Sequence, residues 1–325
     1  MNEREVIARL RRIATAPEAR GLADDAALLD GLVISHDSIA EGVHFLPGDP
    51  PASVGWKLVA VNLSDLAGKG ASPAGALMSL TLAGDDEWVS RFLHGVEAAL
   101  ESYNLPLIGG DTVSLPVGAP RVLGMTVIGR AGSHVPDRSG GEPGDELWLV
   151  GTLGDSAAGL AQLLRDRHAT GPLVDIYRRP IPLLLAGQAL APNAKAMMDV
   201  SDGLLLDLRR LCEASGCAAW IDLADLPVSA AFTGLRGDTL EARLFAATGG
   251  DDYALLAALP AGFDAATISL PDGPRLARIG KLEPGSPALR LTHSGQAVPL
   301  PERLGFEHDS QHDRQSPAAP VADRP

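Results

Sequence analysis

The chain has 325 residues, 46% of them hydrophobic and 21% charged, a composition that excludes wholesale disorder and predicts two domains or one large α/β unit. Its 41 acidic residues outnumber 27 basic ones, giving a net charge of −14, which argues against a nucleic-acid binder, since such a protein needs a basic face to neutralise phosphates. No apolar run approaches the roughly 18 residues that span a bilayer, the start lacks a signal-like apolar stretch, and the two cysteines (Cys212, Cys217) cannot build a disulfide framework, so a soluble cytoplasmic protein is expected.

Aromatic residues are only 4% of the chain, so Ala, Leu and Val must supply most of the core. Residues 4–14 carry Val6, Ile7, Leu10 and Ile13 at helical spacing, which predicts an amphipathic helix. Residues 31–35 read as a short buried strand. Ser53 is placed to N-cap a helix running to about Leu66, with Trp56, Leu58, Val59 and Leu63 as apolar contacts. Strands are expected at 75–83 and 121–128, with a helix over 86–103 and a short segment at 105–108 between them. The Gly- and Pro-rich stretch 133–145 reads as a linker. A second half follows, with strand 146–150, turn 151–154, helix 155–164, strand 196–200 and helix 203–214, which Gly216 closes. Strands 219–223 and 253–259 come next, and the sequence beyond Phe306 has no apolar periodicity, which predicts disorder. Strands and helices alternate in both halves, so α/β is the class.

No G-x-x-x-x-G-K-[ST], no G-x-G-x-x-G after a strand and no H-E-x-x-H occurs, so any nucleotide must bind without a P-loop. Aspartates instead recur at the edges of apolar elements: Asp24 and Asp25, Asp37, Asp65, Asp111, Asp199 and Asp202, and Asp251 with Asp252. Each also has an ordinary structural reading. Ser201, Asp202 and Asp155 suit helix N-caps, the Asp24–Asp25 pair suits a turn, and G-G-D is a common loop string. Asp65 fits such readings least. Near the C-terminal end of a helix the dipole disfavours an anion by roughly 0.3–1 kcal/mol, and its neighbours Leu63, Leu66 and Ala67 predict partial burial. A carboxylate there needs a cation, either a base, of which Lys69 is the adjacent one, or a metal. Several such aspartates without a Cys/His set describe an oxygen-lined site for a hard cation; Mg²⁺ fits best, and it usually arrives with phosphates.

Eight strings, taken in order, resemble the thiamine-monophosphate kinase family, within the superfamily that includes aminoimidazole ribonucleotide synthetase. They are G-L-A-D-D-A-A-L (21–28), S-H-D-S-I-A-E-G-V-H-F (35–45), V-N-L-S-D-L-A-G-K-G-A (61–71), L-I-G-G-D-T (107–112), R-S-G-G-E-P-G-D (138–145), G-T-L-G-D-S-A-A-G-L (151–160), M-D-V-S-D-G-L (198–204) and G-G-D-D-Y-A-L (249–255). The resemblance implies ATP-dependent phosphorylation of thiamine phosphate to thiamine diphosphate, in thiamine biosynthesis. It implies an N-terminal domain over residues 1–137 whose sheet forms a barrel across a homodimer, a C-terminal α/β domain over 138–306, and a disordered tail over 307–325. Carried over by motif, Asp24, Asp25, Ser35, Asp37, Asp65, Asp111, Asp199 and Asp202 would hold several Mg²⁺ ions. Tyr103, Gly110, Asp111, Arg138 and Ser201 would contact ATP, and His44, Asp251 and Phe306 would contact thiamine phosphate. No residue is assigned as general base, because a phosphate acceptor is already ionised near neutral pH; Asp65, Asp111 and Asp199 act by positioning. His44 also suits a packing role in its loop, and Phe306 a hydrophobic clasp that ends the fold.

The chain departs from the family pattern at a few positions. His36 stands where Thr is usual and is counted with the metal set, where it would either displace one Mg²⁺ or face away and offer only its backbone. Lys69 replaces Met and reads as an exposed lysine, or as a source of positive charge near His36. Asp251 replaces Glu, and Gly21-Leu22-Ala23 replaces Gly-Ile-Gly. Two other functions stay open at this point: an ATP-dependent synthetase of the same superfamily acting on another substrate, and a weakly active nucleotide-binding paralogue.

Overall fold

The computed structural model describes residues 3–270 and 275–307. Its first half runs α1 (Glu3–Leu10), β1 (Ala27–Leu29), β2 (Leu32–Ala40), α2 (Pro51–Gly68), β3 (Ser72–Leu82), α3 (Asp86–Ser102), β4 (Leu107–Ser114) and β5 (Val122–Arg130). The second begins with β6 (Glu146–Val150), α4 (Asp155–Arg165), α5 (Pro172–Arg178), α6 (Leu184–Leu190), β7 (Ala196–Val200), α7 (Leu204–Ser215) and β8 (Ala218–Asp222). It ends with α8 (Ala230–Arg236), α9 (Leu240–Thr248), β9 (Ala254–Leu259), β10 (Leu276–Glu283), β11 (Leu289–His293) and β12 (Gln296–Val298).

Each half has one mixed sheet. The first orders its five strands β1-β2-β5-β3-β4, antiparallel except for the parallel β3–β4 pair. It is open within the chain, with β1 and β4 at its edges, and so forms no barrel by itself. The second orders seven strands β12-β11-β8-β10-β6-β9-β7, with β8 and β11 the parallel pair. None of the described helices is long and apolar enough to cross a membrane.

Helix α2 joins the halves. Pro51 in its first turn sets φ for a helix, so α2 starts ahead of Ser53, which is not its cap. From Val54 onward every residue except Trp56 is buried, because α2 packs on β2, β5 and α3 on one side and on α6 and β7 on the other. The α2–α3 crossing brings backbones together: a Cβ on Gly95 would lie 1.8 Å from the Ala52 carbonyl oxygen. One hydrophobic core runs through this helix, from Leu58, Leu63 and Leu66 to Met197, Leu255 and Leu259 of the second half. Packing so continuous holds residues from both halves in fixed register.

The stretch read as a linker is docked. Asp137 bridges to Ala196 at the start of β7, the Met197 N–H donates to the Asp137 carbonyl at 3.1 Å, and Arg138 reaches into the first half. Two other parts of the fold differ from the reading. The segment placed at 105–108 is strand β4 from Leu107 to Ser114, whose Gly-Gly-Asp-Thr sequence becomes a strand by pairing with β3. Strands β10 to β12 gave no readable signal; in β10 a register shift between Arg278 and Gly280 breaks the alternation that marks a strand. Gly216 closes α7 in the left-handed region at φ 67°, as read. The expected tail beyond 307 lies outside the described residues.

Candidate active site

Three carboxylates converge where α2 meets the two sheets. Oxygens of Asp25, from the loop before β1, Asp65, from the last turns of α2, and Asp199, from β7, all lie within 4.8 Å of one another. Strand alternation decides what joins them. Ser35 and Asp37 turn toward α2, and the Ser35 hydroxyl donates to Asp65. Ser64 on α2 donates to Asp199 at 2.6 Å. The Asp37 backbone N–H donates to Asn62 Oδ1 at 2.9 Å, which ties β2 to α2.

Positive charge is unevenly distributed in this cluster. Arg20 holds Asp24 at 2.6 Å, Lys69 contacts both Asp24 and Asp25, and Arg138 pairs with Asp25. Burial pushes the Asp25 carboxyl up, but Arg138 and Lys69 together outweigh it and hold it below the usual range. Among the described residues, Asp65 and Asp199 have only hydroxyl donors hydrogen-bonded to them, Ser35 and Ser64. Burial, with Asp37, Asp199 and Asp25 nearby, raises Asp65 well above the ordinary carboxylate value. Burial and the Asp25 charge push Asp199 up to about 8. Asp25 Oδ2 is buried and has no well-directed hydrogen bond. A cluster of oxygen donors that is short of positive charge, with no sulfur or imidazole in it, fits a hard divalent cation.

A second group lies toward the N-terminal end of α2. Lys57, 2% exposed, donates to the His44 carbonyl at 3.0 Å and to Asp251 at 2.5 Å, linking the β2–α2 loop to the loop before β9. Asp251 takes a left-handed conformation, φ 72°. It is held there by Ser156 Oγ at 2.8 Å, Tyr253 Oη at 2.9 Å and its own N–H to the Ser201 carbonyl at 2.7 Å. The His44 ring accepts from the Ala40 N–H at 3.0 Å through Nδ1, which leaves Nε2 as its N–H donor. Phe306 is pinned beside this group by its N–H to the Asp202 carbonyl at 2.8 Å, and the residue is 38% exposed.

Residues 23–131 match the N-terminal domain of AIR synthase related proteins, and residues 142–290 match their C-terminal domain. The chain is 38% identical over 304 residues to the thiamine-monophosphate kinase of Escherichia coli K12, covering 89% of this chain and 91% of that one. The chain belongs to the thiamine-monophosphate kinase family. A structure of AaThiL complexed with AMPPCP and TMP superposes with a TM-score of 0.82 at 29% identity, over 94% of this chain and 97% of that one. The thiamine-monophosphate kinase of Stenotrophomonas maltophilia K279a superposes at 0.72 with 35% identity, over 90% of this chain and 96% of that one.

Of the residues that the family motifs single out, the structure brings Asp25, Ser35, Asp65, Asp199 and Arg138 into one cluster. It brings His44, Asp251, Ser201, Asp202 and Phe306 into a neighbouring one. His36 is corrected: it lies between Ser35 and Asp37 on β2, so its side chain takes the opposite face, where it is exposed and meets Thr126 Oγ1 at 2.9 Å. Lys69 is also corrected, being fully buried rather than exposed. Asp24 is near the cluster, but each of its oxygens faces a basic side chain. Gly110 and Asp111 sit on the exposed edge strand β4, three strand spacings or roughly 14 Å from β2, and do not reach the cluster within one chain. Tyr103 ends α3 and packs edge-on against Trp56, 5.7 Å between centroids, near the start of α2.

The helix-cap readings also change. Gly203 and Gly154 occupy the N-cap positions of α7 and α4. The Asp202 carboxylate pairs with Arg210 at 2.5 Å, and Asp155 accepts from Thr152 and Ser229 at 2.6 Å each. Asp207, Lys57 and Asn62 were not anticipated as parts of the site. Asp207 Oδ2 accepts the N–H groups of Ser201 at 3.1 Å and Asp202 at 3.0 Å and so shapes that loop. Its signal was legible, as an acid in the first turn of a helix reaching back to N–H groups ahead of it. Lys57 and Asn62 gave none, since a polar residue in an apolar helix is ordinarily assigned to its solvated face.

Proposed function

We propose that the chain transfers the γ-phosphoryl group of ATP to thiamine phosphate, yielding ADP and thiamine diphosphate, by direct in-line transfer. The observation that carries this reading is the convergence of Asp25, Asp65 and Asp199 where α2 meets the two sheets of a family member. Asp25, Asp65 and Asp199, with Asp37 beside them, would hold Mg²⁺. When bound, Mg²⁺ would offset the charge of two phosphorylated reactants held side by side by these residues. Arg138, already aligned by Asp25, can fork onto a phosphate. The acceptor is an ionised phosphate near neutral pH, so the protein need not supply a base. Asp251 and the face of Phe306 suit the cationic thiazolium, and His44 Nε2–H is a donor for a phosphate.

The proposed homodimer is supported by the first sheet. Leu77, Leu107, Ile108 and Val113 are exposed on β3 and β4, and a second copy covering this edge would bury them. ATP contacts from Tyr103, Gly110 and Asp111 would then belong to a site completed between copies. A cytoplasmic location and a domain boundary at residues 137–138, between the two sheets, complete the reading. The orientation of His36 removes the reason to favour a non-catalytic paralogue.

The test is incubation with ATP, Mg²⁺ and thiamine phosphate, following ADP and thiamine diphosphate by chromatography with free thiamine as control. Equal amounts of both products, lost in Asp65→Asn, are expected. ATP binding with no product from thiamine phosphate would overturn the assignment of the acceptor.

A further inference from the structure

We propose that Lys69 is a built-in cation of the acidic site, standing in for a divalent ion at Asp24 and Asp25 and confining metal to the side formed by Asp65 and Asp199. The inference rests on the reading of that cluster as a divalent-cation site.

Lys69 closes α2. Its N–H bonds back to the Asp65 carbonyl at 3.1 Å, and Gly70, at φ 61°, turns the chain away immediately after it. A lysine just past a helix end ordinarily extends into water. Here the side chain has no exposed surface and runs inward to the cluster. Its ammonium meets the Asp24 carboxylate, Asp25 Oδ2 at 3.0 Å and the Met197 carbonyl at 3.0 Å. An ammonium has three N–H donors. Two of them go to Asp24 and the Met197 carbonyl, and the ammonium forms an ion pair with Asp25 Oδ2 at 3.0 Å, so its charge serves the carboxylates.

The neighbours sharpen the division. Asp24 gives one oxygen to Lys69 and the other to Arg20 at 2.6 Å, which leaves neither for a metal. Asp25 gives one oxygen to Arg138 and has the other 3.0 Å from Lys69, and one of its oxygens lies within 4.8 Å of oxygens of Asp65 and Asp199. Among the described residues, three basic side chains thus stand around Asp24 and Asp25, while Asp65 and Asp199 accept hydrogen bonds only from the hydroxyls of Ser35 and Ser64. A divalent ion is drawn to the second side and repelled from the first. Asp25 is the shared wall.

The experiment counts Mn²⁺ bound per full-length chain, by the loss of the free-ion paramagnetic resonance signal during titration without nucleotide. Lys69→Met is expected to bind one more Mn²⁺ than the wild type, and Lys69→Arg to bind the wild-type number. Asp24→Asn in the otherwise wild-type chain is expected to leave the number unchanged, whereas Asp65→Asn lowers it. Equal numbers in folded Lys69→Met and wild type overturn the inference while leaving the metal site standing. Should Lys69→Met fail to fold, Asp24→Asn decides: a loss of one Mn²⁺ overturns the inference, and an unchanged number supports it. No Mn²⁺ bound by the wild type overturns the metal reading and this inference together.

Discussion

Replacing Lys57 with Met keeps the unbranched stem and its packing while removing the ammonium. Three contacts disappear: the donor to the His44 carbonyl at 3.0 Å, the pair with Asp251 at 2.5 Å, and the ammonium 4.3 Å above the Tyr177 ring. A lost hydrogen bond to a neutral acceptor costs about 1 kcal/mol. Breaking a fully buried ion pair from one side costs about 3–5 kcal/mol. Asp251, however, is 27% exposed and keeps Ser156 and Tyr253 as donors, so the pair contributes less, about 1–2 kcal/mol. With the cation–π contact, the total comes to about 3 kcal/mol, or a fall of about 5 °C in Tm for a chain of this size. Because both partners belong to the side proposed to hold thiamine phosphate, KM for that substrate is expected to rise about tenfold with KM for ATP nearly unchanged, a loss of about 1.4 kcal/mol in binding. Thermal melting and steady-state kinetics check both numbers. A double-mutant cycle with Asp251→Asn checks the coupling, since the second substitution should cost little once Lys57 is gone. Unchanged Tm and KM in Lys57→Met, or additive effects in the cycle, would refute the reasoning.

Other outcomes follow from the same geometry. His36→Thr is expected to change kcat and metal dependence by less than twofold, because the imidazole is on the far face of β2; a large gain in activity would show that it does reach the site. In EDTA, stability should fall as pH rises from about 4 to about 8. Over that range the buried Asp199 keeps a proton that the unfolded chain has released; below it both states hold the proton, and above it neither does. Thermal melts at pH 6 and pH 8 should show the fall, Asp199→Asn should lessen it, and Mg²⁺ should stabilise more at pH 8, where it no longer displaces a proton. Ile108→Glu, on the exposed edge of the first sheet, is expected to leave a folded monomer by analytical ultracentrifugation if that edge is the dimer face. A dimer unchanged in mass would place the interface elsewhere.

The amino-acid order alone carries the class, the positions of the main early elements and the chemistry of the site. Apolar residues from Val54 to Leu66 call for a buried helix, and aspartates at element ends without a Cys/His set call for a hard cation. What the order leaves open is which carboxylates meet. Asp65 and Asp199, 134 positions apart in sequence, come together only because α2 passes between the two sheets and β7 packs against its last turns. The role of His36 likewise depended on strand phase: one residue earlier or later, Ser35 and Asp37 face α2, and a single sequence does not state which set turns inward. Lys69 shows the difference most clearly. As a residue beyond a helix end it reads as solvated, yet the turn at Gly70 and the placement of Asp24 and Asp25 give its charge partners inside the protein. Local spacing reports which groups a segment offers; whether a charge is solvated, paired or left for a metal is decided by what the tertiary fold brings to within a few ångströms of it.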